Sequence, residues 1–464
     1  MRSSRGQTVR ILIISHDVVG ERMAGPGIRY WELARILSQE FEVILAAPGK
    51  PTIKSPGFPL KGYEVDGGVL ADLTKVVDVI MVSGYLLHKF PLLKEAGKPL
   101  VVDVYDPFTL ENLEIYSERA LAERREVHDT HLAVLNELLQ VGDFFICASE
   151  KQRGFWLGML SALNRVNPVT YCQDRSLRRL IDVVSFGLPS EEPRHEKDVL
   201  KGIWEGIASN DKVVLWGGGI YNWLDALTLI WAMSRIVELR QDIKLLFMGT
   251  EHPSPLVHTM RMCTEAIRLS KELGLYNKYI FFNDWVPYGE RQNYLLEADV
   301  GVSLHFDHIE STFSFRTRVL DYIWAGLPMI VTRGDDMSEL VERYGLGKVV
   351  DYQDVKGLSA GLVEMLDQPY LKEAYVPRFE KVRSRLTWSQ VAAPLIEFCR
   401  SPRLAPDRMA LGKKATGAPS SERPPTPWWL LPSKAWRSYR EGGVRGLCRE
   451  TTNYLKWWKA RRGL

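Results

Sequence analysis

Five cysteines stand alone in this 464-residue chain (Cys147, Cys172, Cys263, Cys399 and Cys448), with neither a CxxC pair nor a histidine spaced to complete a zinc set. Their scatter argues against a disulfide framework and a structural zinc, and for a reducing compartment. No apolar run approaches the ~20 residues that a spanning helix needs. The N-terminal apolar run, about seven residues long, is shorter than a signal-peptide core and leads straight into His16 and Asp17. The expected location is the cytoplasm. GxGxxG, P-loop and HExxH signatures are missing too. Asp335 and Asp336 follow Gly334 in a turn that helix capping explains better than a cation does, so no metal is expected.

What remains, 45% hydrophobic and 25% charged, is an ordinary globular composition in a chain long enough for two or three domains. The net charge of +3 hides an asymmetry: residues 401–464 carry 14 Lys/Arg against 4 Asp/Glu, which leaves the first 400 residues at −7. A basic tail on a mildly acidic body points to an anionic surface as partner.

Apolar runs at 9–15, 41–47, 77–83, 99–105 and 144–149 alternate with helical patterns at 25–38 and 110–139. Continuous β-branched runs separated by helices imply a parallel sheet covered on both faces. Gly187-Leu188-Pro189, followed by a Glu/Pro/His-rich stretch, marks a boundary near 190. A second series then begins: strands at 212–216, 243–248 and 279–283, with helices at 224–239, 255–273 and 288–298. The expected fold is α/β, two Rossmann-like domains (1–190 and 191–385) facing across a cleft, and the cleft is the expected active site.

Candidate residues gather at strand tips, where open parallel sheets bind their ligands. His16 and Asp17 end the first strand. Gly25 and Gly27, with Arg29 behind them, let a phosphate or sugar approach the backbone, although a plain turn uses the same residues. Asp106 ends the strand at 99–105, and standing before Pro107 it also has the form of a helix N-cap. Gly217, Gly218 and Gly219 follow the strand at 212–216 and permit close ligand approach. The stretch 300–332 reads strand, polar loop, helix from 314, Gly/Pro stop, strand. Arg316 and Arg318 fall in that helix's first turn, where guanidinium forks and free N–H groups suit a phosphate; a solvated helix face is the alternative.

Within it, Leu320-Asp321-Tyr322-Ile323-Trp324-Ala325-Gly326-Leu327-Pro328 resembles the sugar-nucleotide-binding segment of retaining GT-B glycosyltransferases, those of family 4 in particular. The resemblance covers residues 9–399 and is strongest over 213–332. It implies the GT-B fold and a pair of acidic residues eight apart. Asp321 stands where the second of these meets the donor ribose; eight positions earlier lies Phe313, with Glu310 nearby but out of register for the donor-sugar role. It further implies Arg316, Arg318 and the 217–219 turn on the donor diphosphate, Gly25 and Gly27 beside diphosphate and acceptor, Asp106 and His16 on the sugar or acceptor side, and residues 284–287 along the base. The arginine and lysine that relatives carry after the glycine turn are replaced here, by Ile220, Tyr221, Asn222, Trp223 and Asp225.

The activity so implied is metal-independent, cofactor-free transfer of a sugar, with retention, from a nucleotide-sugar donor to a lipid-linked or cell-envelope polysaccharide acceptor. A sugar-nucleotide epimerase and a non-catalytic partner subunit of the same fold are the alternatives. After a closing helix at 386–400, residues 401–427 read as a flexible linker. Residues 428–464 set Trp428, Trp429, Trp436, Trp457 and Trp458 among nine Lys/Arg. An amphipathic helical tail of this composition suits peripheral contact with an anionic membrane at its inner face, the alternative being docking on a protein surface; no nucleic-acid motif accompanies the charge.

Overall fold

The computed structural model describes residues 8–408. Seven strands form the first sheet: β1 (Arg10–Ile14), β2 (Glu42–Pro48), β3 (Leu60–Tyr63), β4 (Val79–Ser83), β5 (Leu100–Asp103), β6 (Phe144–Cys147) and β7 (Ile181–Val183). Their order is β3-β2-β1-β4-β5-β6-β7, every pair parallel. Side chains alternate across a strand, so Ile11 and Ile13 enter one core layer while Leu12 and Ile14 enter the other. Helices cover both layers, which is why a run such as VIMVS in β4 is buried at every position.

A second, six-stranded parallel sheet follows: β8 (Lys212–Gly219), β9 (Ile243–Gly249), β10 (Ile280–Phe282), β11 (Val300–Ser303), β12 (Met329–Thr332) and β13 (Gly347–Val350), in the order β10-β9-β8-β11-β12-β13. This is the expected pair of Rossmann-like domains. Strand order reverses between β1 and β4 in one sheet and between β8 and β11 in the other, and the crevice outside the strand ends at such points is where α/β sheets bind ligands. The two crevices face each other. Trp285 Nε1 donates to the Met23 carbonyl at 3.2 Å, Tyr288 N to the Glu21 carbonyl at 2.8 Å and Gln152 Nε2 to the Phe313 carbonyl at 2.7 Å, all across the cleft.

The chain ends its second domain by returning to the first. Leu188 and Thr387 form a parallel bridge, and Gly187 lies so close to Trp388 that a Cβ there would stand 2.6 Å from its Cα. In the helix Ala393–Arg400, Phe398 stacks on Phe144 at 4.7 Å and Arg400 pairs with Glu40.

Several local expectations need correction. The single helix expected at 110–139 is two, Phe108–Ile115 and Leu121–Val141, broken by a turn. The helix expected from 255 begins at Arg261, and the one expected from 314 begins at Thr317, after a separate short helix Ile309–Phe313. The start of the expected flexible linker is pinned: Arg165 Nε donates to Asp407 at 2.6 Å with both side chains buried, and Asp143 accepts from Ala405 N and from Arg408, each at 2.6 Å. The remainder of that linker and the whole basic tail lie outside the described residues. Among the described residues no helix is long and apolar enough to cross a membrane.

Candidate active site

A cavity of about 560 Å³ fills the space between the two sets of strand ends. Its second-domain wall is built on β8. The strand's last residues, Gly217, Gly218 and Gly219, all line the cavity, and the ladder to β9 slips between Trp216 and Gly219. Gly218 has φ +83°, a left-handed conformation that glycine adopts without strain. Gly217 is used differently: its N–H is taken by Tyr322 Oη at 2.8 Å.

The two arginines at the next helix start have separate fates. Arg316 Nη1 and Nη2 donate to Glu310 Oε1 and Oε2 at 2.9 and 2.7 Å, and its Nε lies 3.7 Å from Asp335. It lines the cavity with both Nη atoms held by Glu310 and its buried Nε without a hydrogen-bond partner. Glu310 is fully buried as its counter-ion and does not line the cavity, so the donor-sugar role drawn from its position is corrected. Arg318, two residues on, lies over the Trp216 ring at 4.6 Å and donates through Nη2 to the Gly219 carbonyl at 2.9 Å. Its Nη1 is buried with no hydrogen-bond partner. Burial, with Arg316 close by, pushes its guanidinium down to about 10, so it stays charged at neutral pH. A cation in that position stabilises any anion that reaches it.

Asp321 lies one turn further along the helix. Its Oδ1 accepts from Arg291 Nε at 3.1 Å, and the side chain keeps 36% of its surface exposed toward the cavity. Arg291 is itself fixed over the rings of Tyr288, at 3.9 Å, and Trp324, at 4.5 Å. One carboxylate oxygen is thus anchored and the other is available to a hydroxyl. Just past the glycine turn Tyr221 and Trp223 stack in parallel at 4.9 Å, and Trp285 and Val286 line the same side.

The first-domain wall is acidic. His16, after β1, hydrogen-bonds Ser83 Oγ through Nδ1 at 2.7 Å and lines the cavity. Asp17 is buried beside it, and its carboxylate lies 3.9 Å from His252 Nε2 on the opposite domain. Gly25 lines the cavity within the first turn of the helix Gly25–Leu37. Gly27 does not: a Cβ there would meet the Val18 carbonyl oxygen at 2.2 Å, so this glycine serves chain packing, which corrects its expected ligand contact. Arg29 is fully buried against Asp103 at 2.5 Å and belongs to the core.

Asp106 does not cap the following helix, whose N-cap position is Pro107 with no side-chain bond. It lines the cavity instead, together with Glu111, a residue with no motif of its own in the sequence. Burial pushes Asp106 up and Glu111 well up; Glu111 and His16 pull Asp106 back down, while the charges of Glu310 and Asp103 push it up. The only sequence signal for Glu111 is its place one turn into a helix that starts at a strand tip. Away from the cavity, His195, Asp198 and Glu297 come within metal-ligand distance of one another, but Glu297 already accepts from the backbone N–H groups of Val199, Leu200 and Lys201.

Two facing Rossmann-like domains with their strand ends opposed, and a C-terminal helix that returns to the first domain, define the GT-B architecture. Residues 211–368, the second domain's core, match the family of glycosyl transferases group 1, and the fold is that of GT-B proteins. Solved structures agree over most of the chain. A sucrose-phosphate synthase from Thermosynechococcus elongatus superposes with a TM-score of 0.62 at 15% identity, covering 84% of this chain and 98% of its own. WaaG, a glycosyltransferase involved in lipopolysaccharide biosynthesis, gives 0.60 at 13% identity over 84% of this chain and 100% of its own. Anabaena HepE, in complex with UDP and glucose, gives 0.60 at 13% over 85% and 100%. A search of the curated proteins finds no match.

Proposed function

We propose that this protein transfers a sugar from a nucleotide-sugar donor to a cell-envelope or lipid-linked glycan acceptor, with retention and without a metal. Arg318 carries the proposal: it is a buried cation in the cleft with one guanidinium nitrogen unpartnered, beside the glycine end of β8. A nucleoside diphosphate supplies the anion that such a group lacks, and the diphosphate gains charge as it leaves. Asp321 receives the ribose, Gly218 and Gly219 the phosphate backbone, and Trp285 with Val286 the base. The acidic wall, with His16 and Asp106, takes the sugar and acceptor. Solved GT-B neighbours bind UDP and UDP-glucose, as HepE does, which supports a donor of this class.

The acceptor reading rests on the resemblance and on the basic, tryptophan-rich stretch 428–464, whose composition suits an anionic lipid surface at the inner face of the membrane. The test is a thermal-shift screen against UDP, GDP, ADP, CMP, dTDP and their sugar conjugates, since a ligand of the folded state raises its melting temperature. A shift with one base names the donor. Silence across the panel in folded protein overturns the donor site and favours a non-catalytic subunit.

A further inference from the structure

Resting on the donor-site reading above, we infer that Asp17 and His252 form a clamp across the cleft for one hydroxyl of the nucleotide sugar, on its ribose or on the transferred sugar. Asp17 follows β1 in the first domain and His252 follows β9 in the second; both line the cavity, with 9% and 11% of their side chains exposed. The facing atoms, Asp17 Oδ2 and His252 Nε2, are 3.9 Å apart. That is too far for a hydrogen bond, but two bonds of ~2.8 Å meeting near a right angle on one oxygen span ~4 Å.

Each side chain is held through its other polar atom. Asp17 Oδ1 accepts from Val18 N at 2.8 Å, and Ser15 Oγ donates to the Asp17 carbonyl at 2.6 Å, which fixes the residue. Among the described residues Asp17 Oδ2 accepts no hydrogen bond, so it is left as an acceptor. His252 Nδ1 accepts from Ser254 N at 3.0 Å; in the neutral ring the proton is therefore on Nε2, which is left as a donor. Burial pulls the imidazole below the ordinary histidine range, with Asp17 opposing it, so the neutral ring is the one that meets a ligand at neutral pH. An acceptor and a donor converging on one point are met by an O–H group, which gives its proton to the carboxylate and takes the imidazole N–H on a lone pair.

Position assigns that hydroxyl to the donor. His252 lies against the rings of Tyr221, at 6.5 Å, and Trp285, at 5.7 Å. Tyr221 packs in turn on Gly219, where a Cβ would stand 2.9 Å from its ring, and the Gly219 carbonyl holds Arg318. One aromatic ring thus separates the clamp from the anion site, and a sugar joined to a diphosphate at Arg318 is within reach of the gap. Aromatic faces with a few convergent polar groups are how a pocket orients a small ligand. Because the clamp's halves come from different domains, a hydroxyl in the gap also ties one wall of the cleft to the other.

The test is calorimetric titration of the full chain with the nucleoside diphosphate that raises its melting temperature, the 2′-deoxy and 3′-deoxy forms of that diphosphate, and its common sugar conjugates. His252→Phe keeps a ring between Tyr221 and Trp285 and removes the N–H, whereas Asp17→Asn keeps the shape and removes the charge. Nucleotide-sugar affinity is expected to fall ~3- to 10-fold in the first and ~10-fold or more in the second. His252→Gln, which retains an N–H donor, is expected to lose less, and the double variant little more than Asp17→Asn alone, since both act on one hydroxyl. Melting curves without ligand show which variants fold; should one fail, the other decides with the same ligands. A loss shared by the diphosphate and abolished with one of its deoxy forms assigns the clamp to the ribose, and a loss confined to the sugar conjugates assigns it to the transferred sugar. Wild-type affinity in a folded single variant, strictly additive losses, or a loss that persists with both deoxy forms overturns the clamp. Wild type binding none of the ligands is a different result: it sinks the donor-site reading and the clamp with it, whereas binding that the variants leave unchanged sinks the clamp alone.

Discussion

The two walls of the cleft are built on the same strand-and-helix plan and carry opposite chemistry. The first-domain wall presents Asp17, Asp106 and Glu111 with a single histidine, His16, and its arginine is withdrawn into the core against Asp103. The second-domain wall presents glycine backbone, stacked aromatics and Arg318, with its own buried carboxylate, Glu310, neutralised by Arg316. Each domain has hidden the charge that would cancel its own wall's. What is left facing the cavity is an acidic wall on the first domain and, on the second, the unpartnered Arg318 cation beside Asp321.

The largest way to break this contrast is Arg316→Ala. It strands Glu310 in the interior without a cation, and the cost expected in urea unfolding is ~3–5 kcal/mol. A variant that keeps wild-type stability would mean that the pair is not the second domain's buried neutraliser. Next comes Gly27→Ala, expected to lose ~1–3 kcal/mol because its Cβ would collide with the Val18 carbonyl. Gly25→Ala, with no neighbour nearer than 3.9 Å, is expected to lose nothing measurable in the same experiment. Asp321→Asn keeps the shape but weakens a charged acceptor, and a loss of ~0.5–1.5 kcal/mol in nucleotide affinity is expected by calorimetry, with nucleobase preference unchanged.

The acidic wall also makes a pH prediction. Glu111 has its carboxyl raised in the folded state, so that state binds more protons than the unfolded chain at pH values above the ordinary glutamate range. Its contribution to stability is therefore present in acid and is lost as pH rises through the raised value. Glu111→Gln should melt with wild type in acid and above it at neutral and alkaline pH, the gap widening upward. Parallel melting curves at all pH values would mean that the carboxyl is not held protonated.

Much of this fold was legible because buried parallel strands announce themselves as continuous apolar runs. The strands that escaped, β3, β7 and β13, are short and keep half-buried positions, so LKGY, IDV and GKVV carry no such run. The helix at 110–139 was read as one because its polar residues conceal the turn at 116–120. Site residues were harder for a different reason. Arg316 and Arg318 are two positions apart with the same side chain, and only the fold decides that Glu310 takes the first and leaves the second free. Gly25 and Gly27 look alike for the same reason, one facing a cavity and the other a carbonyl oxygen. Glu111 has no motif, because the bend that brings it to Asp106 is a property of the strand-to-helix turn.

The most direct test of the account is the binding of nucleoside diphosphates to wild type and to Arg318→Ala, followed by calorimetry. The account predicts that one base binds wild type and that the variant loses about 10- to 100-fold in affinity with its melting temperature preserved, since a charge-assisted hydrogen bond is worth ~1.5–3 kcal/mol. Equal affinity in the two proteins would contradict it and remove Arg318 from the donor site.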